Sequence, residues 1–502
     1  MGRSDTSSGD VNGDGLDDLI AGGNSNFPTT ILLQNRSGHF TGRTLDQPLE
    51  IIGQQYQVMG TILFDADGDG DADLYLAHGG YEASPGNAIY HDRFYLNDGS
   101  GNFKQDTTAF PLNLQSKSCV RAVDYDNDGD LDLFVAGRVA PWNYPKPVSS
   151  FLYRNDSKDK LIKFTDVTAE VAKELKDIGL VCDALFTDFD NDGWTDMIIA
   201  GEWMAPTFMH NEKGKFKNIT DQTGLSNEKG WWTSITGGDF DSDGDIDYII
   251  GNLGLNSYMR TAVNEPVSVY AKDFDNNGSF DAFLTQYLPV SQDTIARREF
   301  PVALRDDAIS QMTVMKSRFR DYKSYASSGI KQMFPPEQFN DAIVLKANNF
   351  QSCYLRNNGG NKFSISPLPY QAQLSALNGM LAEDFDGDGN LDLLINTNDY
   401  GTDVSVGRYD ALNGLLLKGK GDGNFAAMKM SESGIFIPGN GKSLVKFRTP
   451  TGGYLVAAAQ NRGSLKIFRP SIQGKLINLS EGDRSAEFIL IDGRRQKHEL
   501  YN

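Results

Sequence analysis

Seven times in this chain a nine-residue run carries Asp or Asn at positions one, three, five and nine and Gly at position six. Loop one holds Asp10, Asn12, Asp14 and Asp18, loop two Asp65, Asp67, Asp69 and Asp73, and loop three Asp124, Asp126, Asp128 and Asp132. Loop four holds Asp188, Asp190, Asp192 and Asp196, and loop five Asp239, Asp241, Asp243 and Asp247. Loop six holds Asp273, Asp275, Asn277 and Asp281, and loop seven Asp384, Asp386, Asp388 and Asp392. Four acidic or amide side chains in nine residues repel one another unless a cation offsets them. A hard ion accepting six to eight oxygens in irregular geometry, Ca²⁺, suits this donor set better than Mg²⁺, which demands a tight octahedron. The sixth-position Gly permits the turn that wraps the first three ligands around an ion. Up to seven Ca²⁺ ions are expected.

These loops are not EF-hands, which need a Glu at position twelve and flanking helices. Position twelve is Ala21, Leu76, Val135, Ile199, Ile250, Leu284 or Ile395. The flanks alternate as strands do, as in Val120–Val123 and Leu131–Val135 around loop three.

Successive loops start 55, 59, 64, 51, 34 and 111 residues apart. The first four spacings suit a four-stranded antiparallel unit, and recurrence at such a period marks a repeat architecture. Each unit also carries a hairpin signal, for example Phe94 to Phe103 through Asn97-Asp-Gly-Ser-Gly, Phe151 to Phe164, and Phe208 to Phe216. Four-stranded antiparallel sheets repeated radially form a β-propeller, an all-β architecture that leaves only short edges. The pattern predicts seven blades, with eight as the alternative count, over residues 1–470. A helical insertion is expected at about 291–340, where Val302, Ile309, Met312, Met315 and Phe319 have helical spacing, and a strand-like tail at 471–502. The short loop-five-to-six step predicts that Val267–Lys272 and Asp281–Tyr287 are the third and fourth strands of the fifth blade. Loop one lies so near the N-terminus that the first blade is expected to be completed by C-terminal strands.

Composition limits function. The formal charge is −20, with Lys and Arg totalling 47 against 67 Asp and Glu, which excludes nucleic-acid backbones as general partners. No apolar run reaches the ~18 residues of a membrane-spanning helix, so no transmembrane segment is predicted. The three cysteines, Cys119, Cys182 and Cys353, are too dispersed for a disulfide framework or a zinc site. The basic residues of the insertion (Arg297, Arg298, Arg305, Lys316, Arg318, Arg320 and Lys323) read as a solvated helix face.

In a propeller the first-to-second-strand loops share one face, so the second-to-third-strand segments and inter-blade connections share the other. Those segments supply the candidate ligand-binding residues: His78, Glu82, Arg138, Trp142, Glu202, Trp203, Trp231, Trp232, Asn252, Asn256, Asp399 and Arg408. Aromatic faces with amides, carboxylates and Arg suit a glycan or an extended polar peptide.

The acidic loops together with the Gly-Asn-Phe-type hairpins resemble the FG-GAP/VCBS repeat family, which includes the integrin α-subunit propeller. Gly137-Arg-Val-Ala-Pro141, Gly201-Glu-Trp-Met204, Trp231-Trp232, Gly251 to Asn256 and Asn357 to Gly360 resemble large Bacteroidetes VCBS-repeat proteins related to the ASPIC/UnbV group. That resemblance implies a Ca²⁺-binding propeller, exported to the periplasm, outer-membrane surface or extracellular space. It also implies that the chain is the C-terminal half of a longer parent; the sequence departs from the family pattern in showing no signal peptide after Met1-Gly-Arg. The function expected is non-catalytic binding of a glycan or protein ligand. The alternative is a polysaccharide lyase on a Ca²⁺-loop propeller. Among the histidines, His39 and His210 lie in hairpins and His498 in the tail, which leaves His78 and His91 as candidate bases.

Overall fold

The computed structural model describes residues 6–45, 56–158, 161–291, 294–472, 484–490 and 493–500, and is almost entirely β. Sheet one is Thr6–Gly9, Asp18–Ala21, Thr30–Gln34 and Phe40–Thr44, paired antiparallel in that order. Sheet two is Gln57–Phe64, Asp73–Gly79, Arg93–Asn97 and Phe103–Asp106, and sheet three Ser116–Val123, Asp132–Val139, Phe151–Asn155 and Phe164–Asp166. Sheet four is Leu180–Thr187, Asp196–Met204, Thr207–Asn211 and Phe216–Asn218, with Gly230–Trp231 added alongside its second strand. Sheet five is Ser234–Gly238, Asp247–Gly251, Cys353–Asn357 and Phe363–Pro367, and sheet six Leu377–Glu383, Asp392–Thr397, Leu415–Gly419 and Phe425–Ala427. Sheet seven is Asn440–Arg448, Tyr454–Asn461 and Lys466–Phe468. The first strand of each sheet packs on the first strand of the next, and that of sheet seven returns to sheet one. The result is a propeller with the innermost strands lining a central channel.

Two strand assignments need correcting. Val267–Lys272 and Asp281–Pro289 are not in sheet five. With Arg297–Pro301 and Ile343–Ala347 they form a separate four-stranded sheet, inserted between the second and third strands of sheet five. The expected helices are present but short: Arg305–Gln311, Met315–Arg318, Tyr322–Ala326 and Ile330–Met333. They cover the inserted sheet through Met312, Met315, Phe319, Met333 and Phe334 against Phe274 and Phe283. A local loop-to-loop distance could not reveal that a whole subdomain interrupts a hairpin. Nor is sheet one completed by C-terminal strands, because Thr6–Gly9 supplies its first strand. The ring closes through side chains instead. Arg448 makes an ion pair with Asp17 at 2.6 Å, Thr6 and Ser443 hydroxyls lie 3.0 Å apart, and Leu19 packs with Phe447 and Ala457.

The core lies between sheets, because each sheet buries both faces against its neighbours. Phe134 and Leu152 of sheet three meet Val181, Ile199 and Met209 of sheet four, and Leu185, Ile198 and Phe208 of sheet four meet Tyr248, Ile250 and Leu355 of sheet five. A buried Leu, Ile or Phe contributes roughly 1.5–3 kcal/mol relative to exposure.

A repeated polar clip adds to this apolar packing. The side-chain amide of Asn97 donates to the carbonyl of Val11 in the preceding sheet's acidic loop, at 2.8 Å. Asn155 does the same to Ala66 (3.1 Å), Asn211 to Tyr125 (2.8 Å) and Asn357 to Phe189 (2.8 Å). Sheet one uses Gln34, whose amide reaches the carbonyl of Arg448 in sheet seven at 2.9 Å. In sheet six Gly419 takes the place of the Asn, and the backbone N–H of Gly423 reaches the carbonyl of Phe240 at 3.2 Å instead.

The tail folds back. Ser485–Ile489 and Arg495–Glu499 pair as a hairpin lying on the acidic-loop end of the channel; the expected tail residues 473–483 lie outside the described residues. Lys497 donates its backbone N–H to Asp239 at 3.0 Å, Glu499 accepts from Thr187 at 2.6 Å, and Arg494 reaches Asn390 at 2.8 Å.

Candidate functional site

Each acidic loop folds by one scheme. The first-position carboxylate accepts the backbone N–H of position five and, in every loop but the third, that of position six, as in Asp10 with Asp14 (3.2 Å) and Gly15 (2.7 Å), or Asp273 with Asn277 (3.0 Å) and Gly278 (2.9 Å). The sixth residue has φ between 83° and 100°, which is why it is Gly in all seven. The ninth-position carboxylate is held from two sides. Asp73 accepts from Ala66 N–H at 3.1 Å and from Asn97 N–H on the third strand at 2.8 Å, and Asp18, Asp132, Asp196 and Asp247 repeat the third-strand bond at 2.7–2.8 Å.

The third position differs. Asp67, Asp126, Asp190, Asp241 and Asp275 each have a buried oxygen with no hydrogen-bond partner. Leaving such an acceptor unsatisfied costs ~1–3 kcal/mol, and more for a charged group. Burial also pushes the ninth-position carboxyls up, Asp18, Asp281 and Asp392 to about 6, Asp73 to about 7, Asp132 and Asp247 to about 8, and Asp196 to about 9. Unpartnered, buried oxygens beside carboxyls that burial discourages from ionising fit a cation as the missing partner. Clusters including Asp65, Asp67 and Asp73, Asp124, Asp126 and Asp132, and Asp188, Asp190 and Asp196 have oxygens within 4.8 Å of one another and could hold a metal ion. His210 joins the fourth loop: its Nδ1 lies 3.0 Å from Asp196 and 3.5 Å from Asp190. As a hairpin residue it had been set aside in the sequence, where nothing shows that the hairpin ends at the acidic loop.

On the opposite face, part of the predicted ligand set converges. A cavity of about 260 Å³ at the channel mouth is lined by Arg138, Glu202, Trp231 and Asp399. Arg138 forms an ion pair with Glu202, Tyr144 donates to Glu202 at 3.4 Å, and Trp203 Nε1 donates to Tyr144 at 2.7 Å. Trp203 stands edge-on to Trp231 at 5.0 Å, and Trp231 packs on Phe350 at 5.4 Å. Trp203 itself is buried and buttresses Trp231 rather than lining the cavity. Its φ is +64°, a conformation that costs a bulky residue energy and that the surrounding network holds in place.

Three predicted ligand residues are structural. His78 is 1% exposed, its Nδ1 lies 3.2 Å from the carbonyl of Leu76, and burial together with Arg93 and Lys117 holds its pKa well below the usual imidazole range. Trp232 is fully buried between sheets four and five, its indole N–H satisfied by Glu228. Asn252 is fully buried and bonds Asn349, Gln351 and Trp231 backbone groups. His78 and Asn252 lie at the ends of second strands and Trp232 just after the added strand Gly230–Trp231, and all three are buried. Glu82, Trp142, Asn256 and Arg408 are exposed but do not line the cavity. Glu82 bonds Gln57 at 2.5 Å, Asn256 the carbonyl of Leu374 at 3.2 Å, and Arg408 lies over Tyr400 at 4.6 Å.

Thr402, Asp403 and Tyr409, from the sheet-six connection that the sequence places on this face, also line the cavity. Other lining residues carry no such signal: Tyr258, Met259 and Leu284 come from the inserted subdomain, and Lys442 from the start of the innermost strand of sheet seven. The place of Tyr258 and Met259 depends on where the insert docks.

An FG-GAP-like repeat model matches residues 10–76, 82–135 and 188–250. No curated protein sequence matches the chain. Similar solved structures include a lectin of Agrocybe aegerita described by its recognition of non-reducing terminal N-acetylglucosamine (14% identity, TM-score 0.42, covering 86% of this chain and 80% of that one). Others are the rhamnogalacturonan lyase YesW (11%, 0.37, 100% and 73%) and the V. cholerae biofilm matrix protein Bap1 (11%, 0.37, 94% and 88%). Among the described residues no helix is long and apolar enough to cross a membrane.

Proposed function

We propose that this FG-GAP-repeat protein is a calcium-stabilised, non-catalytic binding propeller that presents the channel mouth opposite its acidic loops to a glycan or protein ligand outside the cytoplasm. Ca²⁺ is assigned because the donors are all hard oxygens around an irregular turn, with a buried oxygen left over at position three. Millimolar extracellular Ca²⁺ suffices even for weak sites, which favours an exported location.

The observation that carries the binding reading is a pair of buried donors. Arg138 and Trp231 line the 260 Å³ cavity, and Arg138 Nη1 and Trp231 Nε1 are buried there without a hydrogen-bond partner. Buried donors in native structures are nearly always satisfied, so a ligand acceptor is their natural complement. Tyr258 and Tyr409 offer ring faces beside them, and Asp399 and Asp403 offer acceptors for hydroxyls. A lyase would need a base in this cavity. Neither His78 nor His91 lines it, and burial raises the pKa of both Tyr258 and Tyr409, the latter to about 12, which leaves Lys442 as the lining residue a lyase would have to use.

The test is a glycan array with the purified, Ca²⁺-loaded protein and a Trp231→Phe control. Binding that weakens in the variant supports the reading. Steady release of unsaturated uronate products from a polysaccharide would replace it with the lyase.

A further inference from the structure

The third strand of sheets one to six ends at the residue whose backbone N–H binds the ninth-position carboxylate, and the residue just before it varies from sheet to sheet. It is Leu33, Leu96, Arg154, His210, Arg356 and Lys418 in turn. In sheet five, Arg356 lies 2.7 Å from Asp241 and 3.6 Å from Asp243, the third and fifth positions of loop five. Asp241 is only 4% exposed in its side chain, and neither oxygen has a hydrogen-bond partner, so the guanidinium is its one described counter-charge. In sheet six, Lys418 pairs with Asp386 and lies 3.0 Å from Asp388, again positions three and five. Among the described residues no ion pair reaches the carboxylates at positions one to five of loops one and two, where the equivalent residues are Leu33 and Leu96.

We propose that this third-strand residue sets the divalent-cation affinity of its loop where it reaches the loop carboxylates, as Arg356 and Lys418 do and Arg154, paired with Asp156 at 2.9 Å, does not. Leu33 and Leu96 leave loops one and two as the tighter sites. Arg356 and Lys418 are tethered cations that occupy the third- and fifth-position carboxylates of loops five and seven, so a divalent ion must displace them and binds there last. Arg356 is about half exposed and Lys418 more than a third, so each has room to swing into solvent when displaced. Their charge is permanent at neutral pH, so the competition is electrostatic. The proposal rests on the reading of the loops as divalent-cation sites.

Isothermal calorimetry with Ca²⁺ on the full chain, stripped of metal and checked for fold by circular dichroism, tests it. The wild type is expected to show at least two affinity classes. Arg356→Leu and Lys418→Leu should each move one site from the weak class to the tight one, a gain of at least about tenfold, the equivalent of ~1.4 kcal/mol. Leu96→Lys should move one site the other way. Arg356→Gln and Lys418→Gln, which keep a polar side chain, should reproduce the gain if the leucine variants misfold. Folded variants with isotherms superimposable on the wild type would overturn the proposal while leaving the metal reading intact. A wild type that takes up no Ca²⁺ would remove both.

Discussion

The two faces of this propeller are built on opposite plans. The acidic face repeats: the first-position turn, the ninth-position carboxylate held by the third strand, and the Asn clip to the preceding sheet recur from unit to unit. The opposite face repeats only a bulge between the first and second strands, in sheets two, three, four, six and seven, and its connections differ from sheet to sheet. Its cavity draws on an insertion, a sheet-six connection, the starts of several innermost strands and Trp231, which strained Trp203 buttresses. Stability devices can be copied around a ring because every junction is alike. A recognition site needs one asymmetric place, and the loops on the far face supply it.

The sharpest way to test that division is to remove the metal. Chelation with EDTA should lower the melting temperature substantially and Ca²⁺ should restore it, since each site filled at 100-fold excess over Kd adds about 2.7 kcal/mol. A melt unchanged after verified metal removal would mean that the acidic face holds without ions. Next in size, Trp232→Ala should cost ~3–5 kcal/mol in a denaturant titration although Trp232 was read as a ligand residue, whereas exposed Trp142→Ala should stay within ~0.5 kcal/mol. Equal effects would show that burial does not separate the two. Removing one clip with Asn211→Ala should cost ~1–3 kcal/mol, because it leaves the Tyr125 and Thr195 carbonyls and the loop turn at Gly214 without their partner. Loss of ligand binding in that variant at unchanged fold would blur the contrast between faces.

Trp231→Phe, which keeps a ring and deletes one donor, should leave the melt nearly unchanged and weaken ligand binding by about tenfold. A destabilised variant with intact binding would reverse the assignment. The smallest effect concerns pH. The folded pKa of His78 is depressed by burial, so below about 6.5 the unfolded chain binds a proton that the folded chain does not. The His78 contribution to stability therefore falls as pH drops from about 6.5, and His78→Gln should remove that component of the pH dependence relative to the wild type. An identical slope in the variant would mean that His78 does not stay neutral in the fold.

What could be read in the sequence follows the same division. Seven copies of one spacing gave the strand-loop-strand units and the residues of every acidic loop, because local carboxylate chemistry and local turn geometry are both encoded within nine residues. The clip was half visible: Asn97, Asn155 and Asn211 stood out as hairpin residues, but their partners lie 86–89 residues away in sequence. On the other face Arg138, Glu202, Trp231 and Asp399, singled out by type and position, line one cavity. His78, Trp232 and Asn252 were misread because inward and outward neighbours on a strand end differ by one residue of register. Tyr258 and Met259 were invisible because an inserted subdomain carries them, and its docking is a tertiary fact.

The closure of the ring has a consequence for how the protein is made. Thr6 waits for Ser443 and Asp17 for Arg448, contacts separated by 437 and 431 residues. During synthesis at about 5–20 residues per second, that interval lasts roughly 20–90 s. Sheets one to six can assemble on one another as they emerge, but the side of Leu19, Leu32 and Phe40 that sheet seven covers has no mate until the end. For that period the nascent chain displays an apolar blade edge suited to a sheet seven from any copy of itself. The N-terminal blade is therefore where a chaperone has most to shield, and where exchange between two growing chains would begin.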